Sequence, residues 1–172
     1  VRSANRQGEH YIFLHWQLLA RYYMERLSHD MGLVPLFHMY RNIASGYFSG
    51  LQYQLGAGFP NRENDYSYYS NMRLDPFRQI EIFDKRVIEW IDSQNLEPRE
   101  AVEILGNMVQ GNANSIDLRR YGNLDKYYRY VANHGHPFGK NQEPLPSTFM
   151  HYETSVRDPL FFEIYKEVVS YF

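Results

Sequence analysis

Cysteine is absent from this sequence. Thiol nucleophiles, zinc sites built on thiolates and disulfides are excluded, and the fold has to rest on its core. The absence assigns no compartment, because secreted chains can also do without cysteine. A basic surplus is missing too: 18 Lys and Arg stand against 20 Asp and Glu, a formal net charge of -2. Such a chain offers no positive field to a nucleic-acid backbone or an anionic membrane. No window of about 18 apolar residues exists to span a bilayer, and no Asn-x-Ser/Thr sequon is present, so no N-glycan is expected on this segment. Residues 1–15 carry no signal-peptide pattern and the first residue is Val. Together with the apolar Tyr171-Phe172 end, this reads as part of a longer polypeptide. Residues 1–172 by themselves are expected to expose core surface and aggregate.

The usual short motifs of catalysis are missing as well. Gly56-Ala57-Gly58 lacks a third glycine and a preceding strand, so it is no dinucleotide loop, and there is no Walker motif. No Gly-x-Ser-x-Gly elbow occurs. The seven histidines are residues 10, 15, 29, 38, 134, 136 and 151. None are three or four apart, the spacing that would turn two imidazoles to one side of a helix. His10 and His15 are five apart, and His134 and His136 fall in a loop, so each histidine reads as structural or superficial. Glu9, Glu25 and Glu153 read as helix-surface or ion-pair residues rather than general acids.

Aromatics are abundant instead: 16 Tyr, 11 Phe and 2 Trp. Without repeats or low complexity, that load points to a folded, oligomeric domain, since aromatic side chains dominate cores and interfaces. It is equally compatible with selection for amino-acid content. The periodicity is helical. Residues 8–29 form an amphipathic helix with Tyr11, Leu14, Leu18, Tyr22 and Glu25 near one stripe, widened by Leu19 and Tyr23, and ended by Gly32 and Pro35. Asp75-Pro76 is an N-cap and first-turn proline. It opens a helix to about Gln94 on Phe77, Ile80, Phe83, Val87, Ile88 and Ile91. Pro98 opens another, with Ala101, Ile104, Leu105 and Met108 on one face and Gly111 closing it. Residues 117–132 read as a third, on Leu118, Tyr121, Leu124, Tyr128 and Val131, stopped at His134-Gly135. A Pro/Gly-rich loop follows over 135–147. Asp158-Pro159 then repeats the start signal for a helix carrying Phe161, Phe162, Ile164, Tyr165, Val168 and Val169 to the end. Residues 33–72 have no stable period; their glycines and aromatics describe a long loop that packs against something.

Three segments carry a resemblance. Gly8-Glu9-His10-Tyr11-Ile12-Phe13-Leu14-His15-Trp16-Gln17, continuing through Leu19-Ala20-Arg21-Tyr22 and Glu25-Arg26-Leu27-Ser28, resembles a helix of the arthropod haemocyanin superfamily. Gly58-Phe59-Pro60-Asn61-Arg62 is similar to that family's "FP-x-R" loop. His151-Tyr152-Glu153-Thr154-Ser155-Val156-Arg157-Asp158-Pro159, with Phe161-Phe162, resembles its "ET-x-x-RDP-x-F" segment. Order and spacing agree along essentially the whole chain.

The resemblance implies a mostly α, bundle-like middle domain with long irregular loops. It would be incomplete at its N-terminus, with an N-terminal helical domain and a C-terminal β-sandwich lying outside this chain. The family's copper proteins hold two coppers with three histidines each. By resemblance, His15 is the last ligand position of the first copper, and the other two lie upstream of Val1. The second copper's His-x-x-x-His pair, which follows Tyr121-Gly122, falls on Asp125 and Arg129, and its third ligand on Tyr165. An ion pair between Asp125 and Arg129 is expected on that face, and no copper or other cofactor. Loss of copper together with high Tyr and Phe resembles the hexamerins, arylphorin-type storage proteins above all. The implied function is a secreted haemolymph reserve of amino acids and aromatics, not an enzyme. Its partners would be the rest of its own polypeptide and the other subunits of a homo- or hetero-hexamer, with no nucleic acid and no membrane. The alternatives are a copper-free relative that carries a small ligand or hormone and, more remotely, an oxygen-binding haemocyanin or phenoloxidase. Phe48, Tyr53, Phe59 and Tyr66 are expected to be largely buried once other domains and subunits are counted.

Overall fold

The long apolar stripe of the first predicted helix needs a partner, and a close backbone approach between two helices supplies one. The computed structural model describes residues 6–67, 75–132 and 145–172. Helix α1, Gln7–Ser28, packs against α3, Pro98–Gln110, at a crossing where Gly8 and Gly106 meet backbone to backbone. A Cβ on either glycine would overlap the other helix. This contact lets Glu103 of α3 cap α1: its carboxylate accepts from the Glu9 amide at 2.9 Å and from Asn107 Nδ2 at 2.8 Å. Residue 6, just ahead of α1, offers no side-chain cap, so the orphan donor is met from the neighbouring helix. Tyr11, Ile12 and Leu19 are buried, with Tyr22 and Tyr23 packed beside them. Leu14 and Leu18, expected on the inner stripe, are exposed instead, together with Phe13, Trp16, Met24 and Leu27. The outer face of α1 is therefore apolar and uncovered within the described residues.

Helix α2, Asp75–Ser93, buries Phe77, Ile80, Phe83 and Val87 as its periodicity requires, while Ile88 turns outward. Pro98 occupies the first turn of α3, and Gly111, at φ 62°, closes it by donating to the Asn107 carbonyl. The single helix expected over 117–132 is two. Helix α4, Leu118–Tyr121, ends at Gly122, whose φ of 66° and ψ of -150° leave the helical region. A Cβ there would strike the Phe83 ring. Helix α5, Leu124–Ala132, then restarts. Each has its own cap: Asp117 accepts from the Arg119 and Arg120 amides, and Asn123 from the Lys126 amide. Leu118, expected inside, is exposed, whereas Tyr121, Leu124, Tyr128 and Val131 are buried. A 3-10 turn, Thr148–Met150, and the short α6, Tyr152–Ser155, lead into α7, Leu160–Val169, which buries Phe161, Phe162, Ile164, Tyr165 and Val168. The expected Asp75 cap, Tyr68 and Tyr69, the His134-Gly135 stop and most of the 135–147 loop lie outside the described residues or side chains. Among the described residues, no helix is long and apolar enough to cross a membrane.

The aperiodic segment after α1 folds back as an irregular antiparallel hairpin, joined by isolated bridges at Ile43–Tyr66, Tyr47–Arg62 and Gln52–Gly58. Its aromatics pack on this same chain: Tyr53 stacks on Phe59 at 4.2 Å, and its hydroxyl donates to the Pro146 carbonyl at 2.6 Å. Tyr53, Phe59 and Tyr66 are half-buried without any partner subunit, and Phe48 is 74% exposed. One ion pair pins the hairpin to the helices. Arg62 Nη1 and Nη2 donate to the two carboxylate oxygens of Asp158 at 2.7 and 2.5 Å, with side chains 1% and 3% exposed. Asp158 also accepts from the Leu160 amide at 3.0 Å, so the residue predicted to start α7 anchors the hairpin as well.

Removing one member of a buried, bidentate pair strands the other charge. Arg62→Met is expected to cost roughly 3–5 kcal/mol, with Arg62→Met/Asp158→Asn costing less than Arg62→Met alone. Denaturant unfolding of the intact protein measures both; a loss for Arg62→Met within that of a surface substitution would show that the pair does not hold the hairpin.

Candidate functional site

The four positions singled out by the sequence converge. Asp125 and Arg129 lie one turn apart on the inner face of α5, Tyr165 comes from α7, and His15 from α1. Arg129 Nε donates to Asp125 Oδ2 at 3.1 Å, the expected ion pair, with both side chains 10% exposed. Arg129 Nη1 donates to the Phe149 carbonyl at 3.2 Å. Ser147 caps the start of the same 3-10 turn by accepting from the Phe149 amide at 3.2 Å. The guanidinium lies 4.7 Å from the Tyr152 ring centroid and 5.5 Å from that of Tyr165, within cation–π range of both rings.

The other carboxylate oxygen of Asp125 accepts from two phenols, Tyr11 at 2.9 Å and Tyr165. Burial, reinforced by the Asp125 charge, pushes both tyrosines well above their usual pKa range, so both stay O–H donors at physiological pH. The participation of Tyr11 was not anticipated. It precedes His15 by one helical turn and so shares its face, and that spacing is the signal that would have found it.

His15 stacks on Tyr165 at 4.1 Å, with 11° between the ring planes, and tilts against Tyr11 at 4.4 Å. Its Nδ1 lies 2.7 Å from the Tyr11 carbonyl, which can only accept; the ring proton therefore sits on Nδ1 and the lone pair of the neutral ring on Nε2. Burial pushes the imidazole below its usual range, partly offset by that hydrogen bond. The other described histidines are scattered. His10 is on the exposed side of α1, and His29 Nδ1 is 2.8 Å from the Glu25 carbonyl. His38 borders a crevice beside α2 and α7, and His151 Nε2 meets the Tyr53 hydroxyl at 3.0 Å. His134 and His136 lie outside the described residues. Glu9 pairs with Arg6 and Glu25 with Arg21 at the surface, and Glu153 is exposed, as their sequence setting implied.

The cluster holds one carboxylate accepting from three donors, one guanidinium and one imidazole with a free Nε2. Among the described residues, no group of three or more His, Cys, Asp or Glu is gathered so as to hold a metal ion. The outer side of the cluster opens into a cleft of about 790 Å³ whose walls include His10, Leu14, Lys126, Met150 and Tyr152. Chemically, the cluster ties three helices together through charge-assisted hydrogen bonds.

The chain matches the family described as "Hemocyanin, copper containing domain" over residues 1–172. It is 46% identical to larval serum protein 2 of Drosophila melanogaster over 172 residues, all of this chain and 24% of that protein. It is 35% identical to hexamerin 70b of Apis mellifera, over 96% of this chain and 26% of the relative. Arylphorin subunit A4 of Calliphora vicina is 36% identical, over 98% and 23%. The chain thus spans about a quarter of the length of these relatives. Among solved structures, a crustacean haemolymph-type prophenoloxidase superposes with a TM-score of 0.82 at 22% identity, covering 99% of this chain and 30% of that one. A scorpion haemocyanin superposes with 0.81 at 22%, covering 98% and 29%. At that identity these structures establish the fold, the all-α haemocyanin-type arrangement expected from the sequence. Matched along its whole length, the chain belongs to the haemocyanin family, in the group described by its copper-containing domain.

Proposed function

We propose that this chain is the middle domain of a secreted haemolymph storage protein of the hexamerin type, a hexameric reserve of amino acids and aromatics that holds no dicopper centre and is not an enzyme. The observation that carries the reading is the Asp125 carboxylate. Its oxygens are engaged by Tyr11, Tyr165 and Arg129, and Asp125, Arg129 and Tyr165 are the positions where the family resemblance places second-copper imidazoles. A metal there would have to displace all three donors and sit beside a guanidinium, which is always charged and has no lone pair to give. Copper is suited by imidazole, and Asp125, Arg129 and Tyr165 supply none at the second-copper positions, so the residues present do not fit the second copper of a dicopper centre.

Two further observations support the reading. The relatives include proteins named larval serum protein, hexamerin and arylphorin. The 16 Tyr and 11 Phe supply the aromatic load that such a reserve requires. The match over residues 1–172 and the fourfold greater length of the relatives support a subunit in which this domain lies between a helical N-terminal domain and a C-terminal β-sandwich. A second reading, carriage of a small apolar ligand, draws on the apolar walls of the cleft beside the cluster; solvent extraction of the native protein yielding a stoichiometric small molecule would favour it.

Elemental analysis of the intact native protein is expected to find copper far below two atoms per subunit, and oxygenation to produce no peroxide-type absorption band; stoichiometric paired copper would overturn the reading. Native mass measurement at neutral pH is expected to give a particle of six subunits, and a stable monomer or dimer would remove the basis for the hexameric assignment. A structural role for the cluster is tested by a double-mutant cycle. Asp125→Leu alone should cost roughly 3–5 kcal/mol by stranding the guanidinium. Asp125→Leu with Arg129→Met should fall short of the summed single losses by about 0.5–3 kcal/mol. Strict additivity would show that the two side chains do not act as a unit.

A further inference from the structure

Helix α1 is apolar on two faces. Tyr11, Ile12 and Leu19 pack inward. Phe13, Trp16, Met24 and Leu27 turn outward and are 56%, 44%, 57% and 68% exposed, with an exposed Ala20 midway between them. At about 100° per residue, these five positions fall within about 80° of the helix circumference, a stripe as narrow as a helix-pairing seam. From Phe13 to Leu27 it runs about 21 Å. A contiguous apolar patch of this kind marks an interaction site, whereas apolar residues scattered singly over a surface do not. The stripe also reads alike in both directions from Ala20. Trp16 and Met24 lie equally far to either side of it, as do Phe13 and Leu27, and then His10 and Asp30.

We propose that this outer stripe is a twofold docking surface, on which the α1 helix of a second copy of this chain lies antiparallel with Ala20 at the axis.

Pairing in that register sets large against large and small against small. The partner's Leu27 covers Phe13, and the partner's Met24 lies against Trp16, a favourable sulfur–aromatic contact. The two Ala20 methyls meet at the axis, where short side chains let helix axes approach to about 8 Å. Every contact then occurs twice, as an isologous interface requires. Aromatic residues and Met are the types enriched in interface cores. The ends match as well. A hollow of about 400 Å³ beside Phe13 is lined by Arg6, Glu9 and His10. The pairing carries the partner's Asp30 to it, where the His10 imidazole donates to that carboxylate. Both residues are exposed in the single chain. Beside the axis, Arg21 is already paired with Glu25 of its own helix, so the two copies bring no unbalanced like charges together. An unrelated partner would account for the exposure of the stripe but not for its reversal symmetry. The inference rests on the hexameric reading above, because a closed hexamer of two stacked trimers contains twofold contacts.

Mild oxidation of the intact, assembled subunit carrying Ala20→Cys tests this, with peptide mapping to identify the bonded positions. At the axis the two Cα atoms come within disulfide range, so a bond joining position 20 to position 20 of a second copy is expected at least about five-fold more often than the corresponding bond in Leu55→Cys, whose side chain is 99% exposed on the hairpin. Ala20→Arg, which sets bulk and like charge against itself at the axis, should leave the helical content unchanged and reduce the native particle to trimers or smaller. If that variant fails to fold, the disulfide alone decides. A six-subunit particle without the bond, or one that survives Ala20→Arg intact, would overturn this face while leaving the hexamer standing. A native mass below six subunits for the unsubstituted protein would remove the assembly reading and this inference with it.

Discussion

The Asp125 carboxylate sits where α1, α5 and α7 converge, and the geometry around it depends on how its valence is met. Buried, it cannot be left bare, because an unpaired charge away from water is costly. Two phenols and a guanidinium meet that demand, and each arrives from a different place: Tyr11 from α1, Arg129 from the next turn of α5, Tyr165 from α7. His15 is then fixed by stacking on a tyrosine whose ring is already oriented by its hydroxyl. The Gly8–Gly106 crossing packs the same helix against α3, one turn before Tyr11.

A second buried charge pair works on a different part of the molecule. Arg62 and Asp158 are 96 residues apart, and their bidentate contact fixes an aromatic-rich hairpin, with few regular strand hydrogen bonds, to the start of α7. The hairpin is thereby defined by side chains and a few bridges rather than by a sheet, which is why its sequence shows no period of two. Its order comes from one ion pair and from stacked rings such as Tyr53 and Phe59.

Helix positions were legible because capping and proline signals are local: Pro98, Gly111 and Asp158 mark the ends of helices in the sequence as they do in space. The break at Gly122 was not, because the apolar spacing of residues 117–132 continues across it; the cause is the Phe83 ring, contributed by another helix. The two caps, Asp117 and Asn123, were the local trace of two starts. The inner face of α1 was partly misassigned because Leu14 and Leu18 satisfy a helical period while the packed face is set by the glycine crossing a turn earlier. The site was half legible. Asp125, Arg129, Tyr165 and His15 all entered through family resemblance, the spacing of Asp125 and Arg129 then indicated their ion pair, and Tyr11 required the three-dimensional arrangement. The joining of Arg62 to Asp158 was equally hidden, though both lie within the motifs that carried the resemblance.

The shared carboxylate also makes the cluster hard to undo one residue at a time. Exchanging Arg129 for an imidazole would leave Asp125 buried with two neutral donors and no countercharge. Exchanging Asp125 would leave a guanidinium facing two phenols. Exchanging Tyr165 would remove both a donor and the ring on which His15 rests. Each intermediate is worse than either endpoint, because members of a satisfied buried network are strongly non-additive. The cluster therefore tolerates change only when several of its members change together.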